Sequence, residues 1–218
     1  MITSTDREYK ATKRIKQGVK ELTGPFAELA RWISSKWRVT VLNVIYDKRN
    51  SLHAPRVQVI LEHESDRKKF HRGMGFDPEK QLQIKEKFLE IIGREDPSEY
   101  DVNGLFVVFS AFAPIAREEA SSKITEEEVK ALKARIGNPD LWEISRCFTL
   151  VTFFFYTDAQ VKRYAARGKK ALYAKMYFKL LKPHDEFGYL DEKEFTVQFD
   201  SKENFDKNYE SSWFYYYR

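Results

Sequence analysis

Residues 37–46 read Trp37-Arg38-Val39-Thr40-Val41-Leu42-Asn43-Val44-Ile45-Tyr46. The stretch is rich in β-branched and aromatic residues, which are enriched in strands, so it predicts a β-strand. Asp47 to Pro55 is a polar loop, and Arg56 to Glu64 predicts a second strand, antiparallel to the first. A helix is expected before this pair, because apolar residues recur at helical spacing after Pro25. These residues are Phe26, Leu29, Ala30 and Ile33.

Start and stop signals predict three further elements in the middle of the chain. Asp77-Pro78-Glu79 begins a helix that Gly93 ends. Leu105 to Phe112 is an apolar run of strand length. Thr125, followed by three glutamates, begins a helix that ends at Gly137. The chain therefore mixes helices and strands along its length.

The last third of the chain requires a choice between a helical and a strand period. Residues 172–180 alternate, with Leu172, Ala174, Met176, Phe178 and Leu180 on one side and Tyr173, Lys175, Tyr177 and Lys179 on the other. This period of two favours a strand over Lys169 to Lys182, since a helical apolar stripe is expected to include lysine. Glu194 to Phe199 is the expected partner strand, and Trp213 to Tyr217 is a terminal strand.

Together these elements predict an α+β fold, a mainly antiparallel twisted sheet of about seven strands flanked by helices. A single compact domain over residues 1–218 is expected, because no linker rich in Gly, Ser or Pro divides the chain. The order of elements also suggests an internal duplication, with αββαβ pseudo-repeats over residues 26–112 and 159–217. Chance similarity of two short element strings is the alternative.

Charge is distributed unevenly along the chain. The 218 residues carry a net charge of +5, but residues 158–182 hold eight basic residues and one acidic residue. Residues 183–218 hold nine acidic and four basic residues, a local charge of −5. Such segregation steers charged partners toward one region, unless the two stretches simply face each other.

Cysteine content and the first residues of the chain predict a cytoplasmic protein. Cys147 is the only cysteine, so an intrachain disulfide cannot form, and its apolar neighbours predict a buried, inert thiol. The N-terminal residues lack the apolar segment of a secretory signal. Apolar runs such as Phe153 to Tyr156 are far shorter than the ~20 residues that span a bilayer. No membrane association is expected.

No motif of an enzyme or a metal site is present in the sequence. The four histidines, His53, His63, His71 and His184, lack metal-ligand spacing, so neither a metal nor a cofactor is expected. Gly73-Met74-Gly75 lacks the remaining glycines of a nucleotide-binding loop and predicts a turn. A metal-dependent nuclease is a distant alternative, because Asp200-Ser201-Lys202 follows a predicted strand, but its partner acid cannot be identified.

The most informative pattern is the mixture of basic and aromatic residues near the C-terminus. If residues 169–182 form a strand, its polar side presents aromatic rings between cations, and the terminal strand extends that surface. The candidate contact face is Tyr173, Lys175, Tyr177, Lys179, Trp213, Tyr215 and Tyr217. Aromatic residues serve as anchors at protein interfaces, and the lysines would steer a charged partner.

These observations favour a non-enzymatic protein that binds another macromolecule, most readily an inhibitor-like or immunity-like protein–protein interaction module. A nucleic-acid-binding protein is the alternative, since sheets that bind single strands also combine cations with stacking rings. The acidic segment 183–218 disfavours that alternative, because it would repel phosphates. Oligomeric state is left open by the sequence.

Overall fold

The computed structural model describes residues 3–48, 54–94 and 99–218, which form a mixed α+β fold. The chain divides into two compact units, Met1–Ile115 and Ala116–Arg218. Within the described residues, the strands form two three-stranded sheets and one two-stranded sheet. The predicted α+β class is confirmed, whereas the prediction of one sheet of about seven strands is wrong.

The first unit places two helices before its sheet and a long helix before the last strand. Its elements are α1 (Arg7–Lys16), α2 (Gly24–Trp37), β1 (Val41–Asp47), β2 (Arg56–Leu61), α3 (Glu64–Lys68), β3 (His71–Arg72), β4 (Gly75–Phe76), α4 (Pro78–Ile92) and β5 (Phe106–Ala111). The next helix, α5 (Phe112–Ser122), contains the boundary between the units. As predicted, Asp77 caps α4, since its side chain accepts hydrogen bonds from the backbone amides of Glu79 and Lys80.

The second unit repeats part of the order of helices and strands found in the first. Its further elements are α6 (Glu126–Ile136), β6 (Leu141–Cys147), β7 (Leu150–Phe155), α7 (Asp158–Ala166), α8 (Lys169–Leu181), a 3₁₀ turn (Lys182–His184), β8 (Gln198–Ser201), α9 (Lys202–Tyr209) and α10 (Trp213–Tyr216). Thr125 forms a capping box with Glu128 at the start of α6. Gly137 ends that helix in the left-handed conformation, with φ of 59°.

The two three-stranded sheets match in order, direction and register. In each sheet an antiparallel hairpin is joined by a third strand parallel to the second, in the orders β1-β2-β5 and β6-β7-β8. The hairpin register shifts at the start of the first strand in both sheets, between Val41 and Asn43 and between Leu141 and Glu143. The parallel pairs are also equivalent, with Leu61 opposite Ala111 and Phe155 opposite Ser201.

Each sheet has a first face that packs against two helices of its own unit. In the first unit, the odd-numbered residues of β2 share an apolar cluster with α2 and α4: Val57, Val59 and Leu61. In the second unit, the odd-numbered residues of β7 share a cluster with α6 and α8: Val151, Phe153 and Phe155. The opposite side of each sheet, which carries Gln58 and Ile60 or Thr152 and Phe154, is its second face.

Two predicted strands, Lys169 to Lys182 and Trp213 to Tyr217, are helices, and this changes the proposed pseudo-repeats. Lys169–Leu181 forms α8 and Trp213–Tyr216 forms α10, so residues 159–217 do not follow an αββαβ order. The elements that resemble α2 to α5 are instead α6 to α9, from residue 126 to residue 209. Among the described residues, the β3–β4 hairpin has no counterpart in the second unit. Duplication as the origin of this likeness stays a hypothesis.

Candidate functional site

Helix α8 separates the tyrosines of the candidate contact face from its lysines. Tyr173 and Tyr177 are four residues apart and therefore lie on one side of the helix, where their exposed fractions are 4% and 0%. Lys175 and Lys179 lie on the opposite, exposed side. The strand prediction, which placed all four side chains on one surface, is wrong for α8.

Burial gives the two tyrosines of α8 a role in the core of the second unit. Tyr173 packs against Phe153, and its hydroxyl accepts a hydrogen bond of 3.0 Å from Asn138 Nδ2. The Tyr177 hydroxyl makes no hydrogen bond within the described residues, and the nearby Arg146 donates to the carbonyl of Ile124 instead. Burial raises the pKa of both phenols, because the charged form would be desolvated.

Helix α10 presents part of the aromatic C-terminus to solvent. The exposed fractions of Trp213, Phe214 and Tyr215 are 38%, 69% and 47%. Tyr217 is half-buried, and its hydroxyl lies 2.7 Å from Ser145 Oγ. The helical period explains this division, since residues 213, 216 and 217 face the sheet while residues 214 and 215 lie on the outer side. Phe214, the most exposed of these rings, was absent from the predicted contact face.

The inner side of the C-terminal segment is fixed to the second face of the second sheet. Trp213 lies 4.2 Å from Phe205 and 5.3 Å from the buried Phe154, measured between ring centroids. The Tyr216 hydroxyl donates a hydrogen bond of 2.6 Å to Asp200 Oδ2. Burial, followed by the bond to Asp200, raises the pKa of Tyr216 far above its ordinary value. The exposed rings of α10 are thus carried on a fixed support.

The seven predicted contact residues therefore do not form one continuous face. Tyr173 and Tyr177 belong to the cluster on the first face of the second sheet. Trp213 and Tyr217 lie over its second face, beside Phe154 and Ser145. The structure leaves two separate exposed surfaces, one formed by the lysine side of α8 and one by the outer side of α10.

Unpaired cations cluster around the turn between α7 and α8. Lys162, Arg167 and Lys170 are exposed and make no ion pair within the part of the chain that the structure describes. In contrast, Arg163 pairs with Asp140, and Lys175 lies 3.9 Å from Glu192. Gly168, with φ of 66°, allows the chain to turn sharply between the two helices. We call Lys162, Arg167 and Lys170 the cationic turn.

The carboxylate at the centre of the nuclease alternative has hydrogen-bond partners from the protein. Both oxygens of Asp200 accept from Asn204 Nδ2, at 2.9 and 3.1 Å, in addition to the bond from Tyr216. Asp200 therefore anchors the C-terminal segment. In the described ranges, no group of three or more His, Cys, Asp or Glu residues is arranged to hold a metal ion.

The remaining candidates for chemistry occupy separate places. His71 Nε2 lies 2.9 Å from Arg67 Nη1, and His184 lies 3.9 Å from Glu128. His63 is near Glu62, and His53 lies outside the described residues. Cys147 is half-buried at the end of β6, more exposed than the sequence predicted.

A cavity of about 260 Å³ opens within the second unit, between α5, α8 and the segment before β8. Its wall includes the buried side chains of Val151 and Leu181 and the exposed side chains of Arg117 and Glu194. This site was not predictable from the sequence, because its residues come from distant parts of the chain and match no motif.

Comparisons with known proteins give no indication of the function of this chain. No protein-family model matches the chain, and no significant match was found among curated proteins or solved structures. Among the described residues, every helix is too short or too polar to cross a membrane.

Proposed function

We propose that this protein is a non-enzymatic binding module that contacts another protein through the outer side of α10. The observation that carries the proposal is the exposure of Phe214 and Tyr215 on the outer side of α10, above a packed aromatic support that includes Trp213. Large aromatic side chains on a rigid element are favoured as interface anchors, because little conformational entropy is lost when they are covered.

Charge indicates the kind of protein that would bind this surface. Residues 183–218, which include α10, carry nine acidic and four basic residues. A partner with a basic rim around an apolar pocket would therefore be attracted and oriented electrostatically. This fits the expectation of an inhibitor-like or immunity-like module that recognises one partner protein.

The proposal is tested by comparing partner capture with and without the outer rings. Phe214→Ser combined with Tyr215→Ser removes two exposed rings and leaves the inner contacts of Trp213 and Tyr216 in place. We expect a partner retained by the wild-type protein to bind the double variant at least ~30-fold more weakly in a purified two-component assay. The matched control is Phe148→Ser, which changes an exposed ring (79%) in the β6–β7 turn. Equal loss in both variants would argue against α10 as the contact surface.

A second candidate function, nucleic-acid binding, is supported by the cationic turn. Cations without ion-pair partners can neutralise phosphates without first breaking a protein salt bridge. Labelled single-stranded and duplex DNA would be titrated by fluorescence anisotropy at ~50 and ~200 mM salt, where phosphate contacts weaken steeply. Lys162→Gln/Arg167→Gln/Lys170→Gln should abolish binding, whereas Lys130→Gln/Lys193→Gln/Lys207→Gln, with the same charge change, should retain it. No binding by the wild-type protein at ~50 mM salt would eliminate this candidate.

A further inference from the structure

The cavity of the second unit combines apolar side chains with one guanidinium, that of Arg117, and two carboxylates, those of Asp191 and Glu194. Its floor is formed by side chains that also belong to the core cluster of this unit or pack against it: Val151, Leu181, Leu190 and Phe195. Arg117 comes from α5, and Glu194 comes from the segment before β8. Two segments that are distant in sequence thus place a guanidinium and a carboxylate on the wall of one small cavity whose lining is only partly apolar.

Neither of these two charged side chains is neutralised by the protein. Arg117 and Glu194 are both exposed, and neither makes an ion pair within the described ranges, with each other or with another residue. The other carboxylate at the cavity, Asp191, is already used locally, because its Oδ1 accepts a hydrogen bond from the backbone amide of Lys193. Arg117 and Glu194 therefore remain available to a ligand.

The loop that forms one wall of the cavity is held in place by a nearly buried carboxylate. Asp185 accepts hydrogen bonds from the backbone amides of Tyr189 and Leu190, at 2.9 and 3.1 Å. Its side chain is 4% exposed and pairs with Lys182 at 2.7 Å. Burial alone would raise the pKa of Asp185, but the hydrogen bonds from Lys182, Leu190 and Tyr189 outweigh it and lower the pKa. The wall is thus formed before any ligand arrives.

The size of the cavity restricts the ligand to a small molecule. A volume of about 260 Å³ is near the lower limit of ~300–1,000 Å³ for small-molecule pockets. It holds a single compact molecule, whereas the surface of a folded partner needs ~800 Å² of contact on each side.

From this geometry we propose that the cavity binds a free α-amino acid with an apolar side chain. Arg117 receives the carboxylate, since the planar guanidinium matches its geometry, and Glu194 receives the ammonium group. The side chain of the ligand covers Leu181 and Phe195. A zwitterion satisfies both charges at once, which an anion or a cation alone does not.

The test uses isothermal titration calorimetry with the full chain and L-leucine, L-isoleucine, L-methionine and L-phenylalanine in turn. For any amino acid that binds, the N-acetyl derivative removes the ammonium group and the amide removes the carboxylate. We expect at least one parent compound to bind and both of its derivatives to lose at least ~10-fold in affinity, since hydrogen bonds to charged groups carry that much. Absence of binding by all four at millimolar concentration overturns the proposal, as does equal binding of either derivative.

Two variants test which residue binds each charged group of the amino acid. Arg117→Gln should lower the affinity for the parent amino acid at least ~10-fold. The affinity for its amide should not change, because the amide lacks the carboxylate that Arg117 binds. Glu194→Gln should also lower the affinity for the parent amino acid at least ~10-fold. The affinity for the N-acetyl derivative should not change, because this derivative lacks the ammonium group that Glu194 binds. The controls Lys207→Gln and Glu126→Gln make the same charge changes outside the cavity. An equal loss of affinity in the control variants, or unchanged affinity in the cavity variants, contradicts the roles proposed for Arg117 and Glu194. Binding of a protein through α10 is not affected by either outcome.

Discussion

The second faces of the two three-stranded sheets are covered by different parts of the chain, although the sheets share their order and register. In the first unit the cover is α1, whose Thr12 Oγ1 accepts a hydrogen bond of 3.0 Å from Asn43. Tyr9 of the same helix stacks on Phe112, with 5.0 Å between ring centroids. In the second unit the cover is α9 and α10, which contact Phe154 and Asp200.

This difference separates what the fold requires from what distinguishes the two units. The helices on the first faces occupy equivalent places in both units, which is what burial of Val57 to Leu61 or Val151 to Phe155 demands. The covers are unrelated, one an N-terminal helix rich in basic residues and the other a C-terminal segment rich in aromatic rings. The proposed protein-binding surface lies on the cover of the second unit, so it has no counterpart in the first.

The largest effect is expected from removing the central ring beneath the C-terminal cover. Phe154 is fully buried and contacts Trp142, Trp213 and Tyr216. Phe154→Ala should lower the free energy of unfolding by ~3–5 kcal/mol, as expected for a buried ring whose neighbours cannot refill the space. Ile60→Ala at the equivalent position of the first sheet should cost ~2–5 kcal/mol. Urea denaturation measures both, with Phe148→Ala as an exposed control; a loss below ~1 kcal/mol for Phe154→Ala would show that α9 and α10 are not packed on the sheet.

Alkaline pH should destabilise the second unit more than the first. Burial is the main cause that raises the pKa of Tyr173, Tyr177, Tyr216 and Tyr217 in the second unit, and of Tyr46 in the first. Above pH ~10 the unfolded chain loses protons that the folded chain retains, so stability falls as pH rises. The stability that these groups contribute is fully present below pH ~10.

The pH effect is measured as the change in unfolding free energy between pH 9 and pH 11. Each buried phenol contributes a slope of at most ~1.4 kcal/mol per pH unit, reduced where it is partly exposed. Tyr173→Phe/Tyr217→Phe should show a smaller fall over this range than the wild-type protein. Tyr46→Phe should reduce this decrease in unfolding free energy by a smaller amount, since it removes only one buried phenol. An equal effect in the two variants would contradict the difference between the units.

The first sheet and its helices were predictable because local signals and periodicity agree there. The helix capped by Asp77 is confirmed, and both predicted strands exist with shorter bounds. β1 begins at Val41 because Trp37 still belongs to α2, and β2 ends at Leu61 because Glu64 begins α3. Residues 142–156, which form the β6–β7 hairpin, are also rich in β-branched and aromatic residues, but no sequence signal marks the turn between the two strands. Phe148 adopts the left-handed conformation there, with φ of 53°, and no glycine, proline or asparagine marks the turn.

The candidate site was less predictable because the decisive segment satisfies two periods. Residues 172–180 alternate, yet the same sequence has a helical stripe without lysine: Tyr173, Ala174, Tyr177, Phe178 and Leu181. Treating tyrosine as a polar residue concealed this stripe, whereas both rings are apolar enough to be buried. The contact face predicted from that alternation was therefore divided between the two faces of the second sheet.

A smaller effect is expected from the two hydrogen bonds that fix the C-terminal cover. Tyr216 donates to the carboxylate of Asp200, whereas Tyr217 bonds to the neutral hydroxyl of Ser145. Tyr216→Phe should cost ~1.5–3 kcal/mol and Tyr217→Phe ~0.5–1.5 kcal/mol, because bonds to charged acceptors are stronger. Thermal and urea denaturation at pH 7 measure both. The reverse order would indicate that Asp200 is satisfied by Asn204 alone and does not depend on the cover.

The smallest effect tests a buried polar position that the two sheets have in common. Gln58 and Thr152 occupy equivalent places at the centre of the second faces, and each has a buried oxygen without a hydrogen bond in the described ranges. Thr152→Val replaces that hydroxyl with a methyl group of similar shape, so stability should be unchanged or rise by up to ~1 kcal/mol. Gln58→Met should instead lose ~0.5–1.5 kcal/mol, because the Gln58 amide also donates to Ser110 Oγ at 3.1 Å. Loss of more than ~1 kcal/mol in Thr152→Val would mean that this hydroxyl supports Tyr216 and Tyr217, and that the C-terminal cover depends on a polar contact that the first unit lacks.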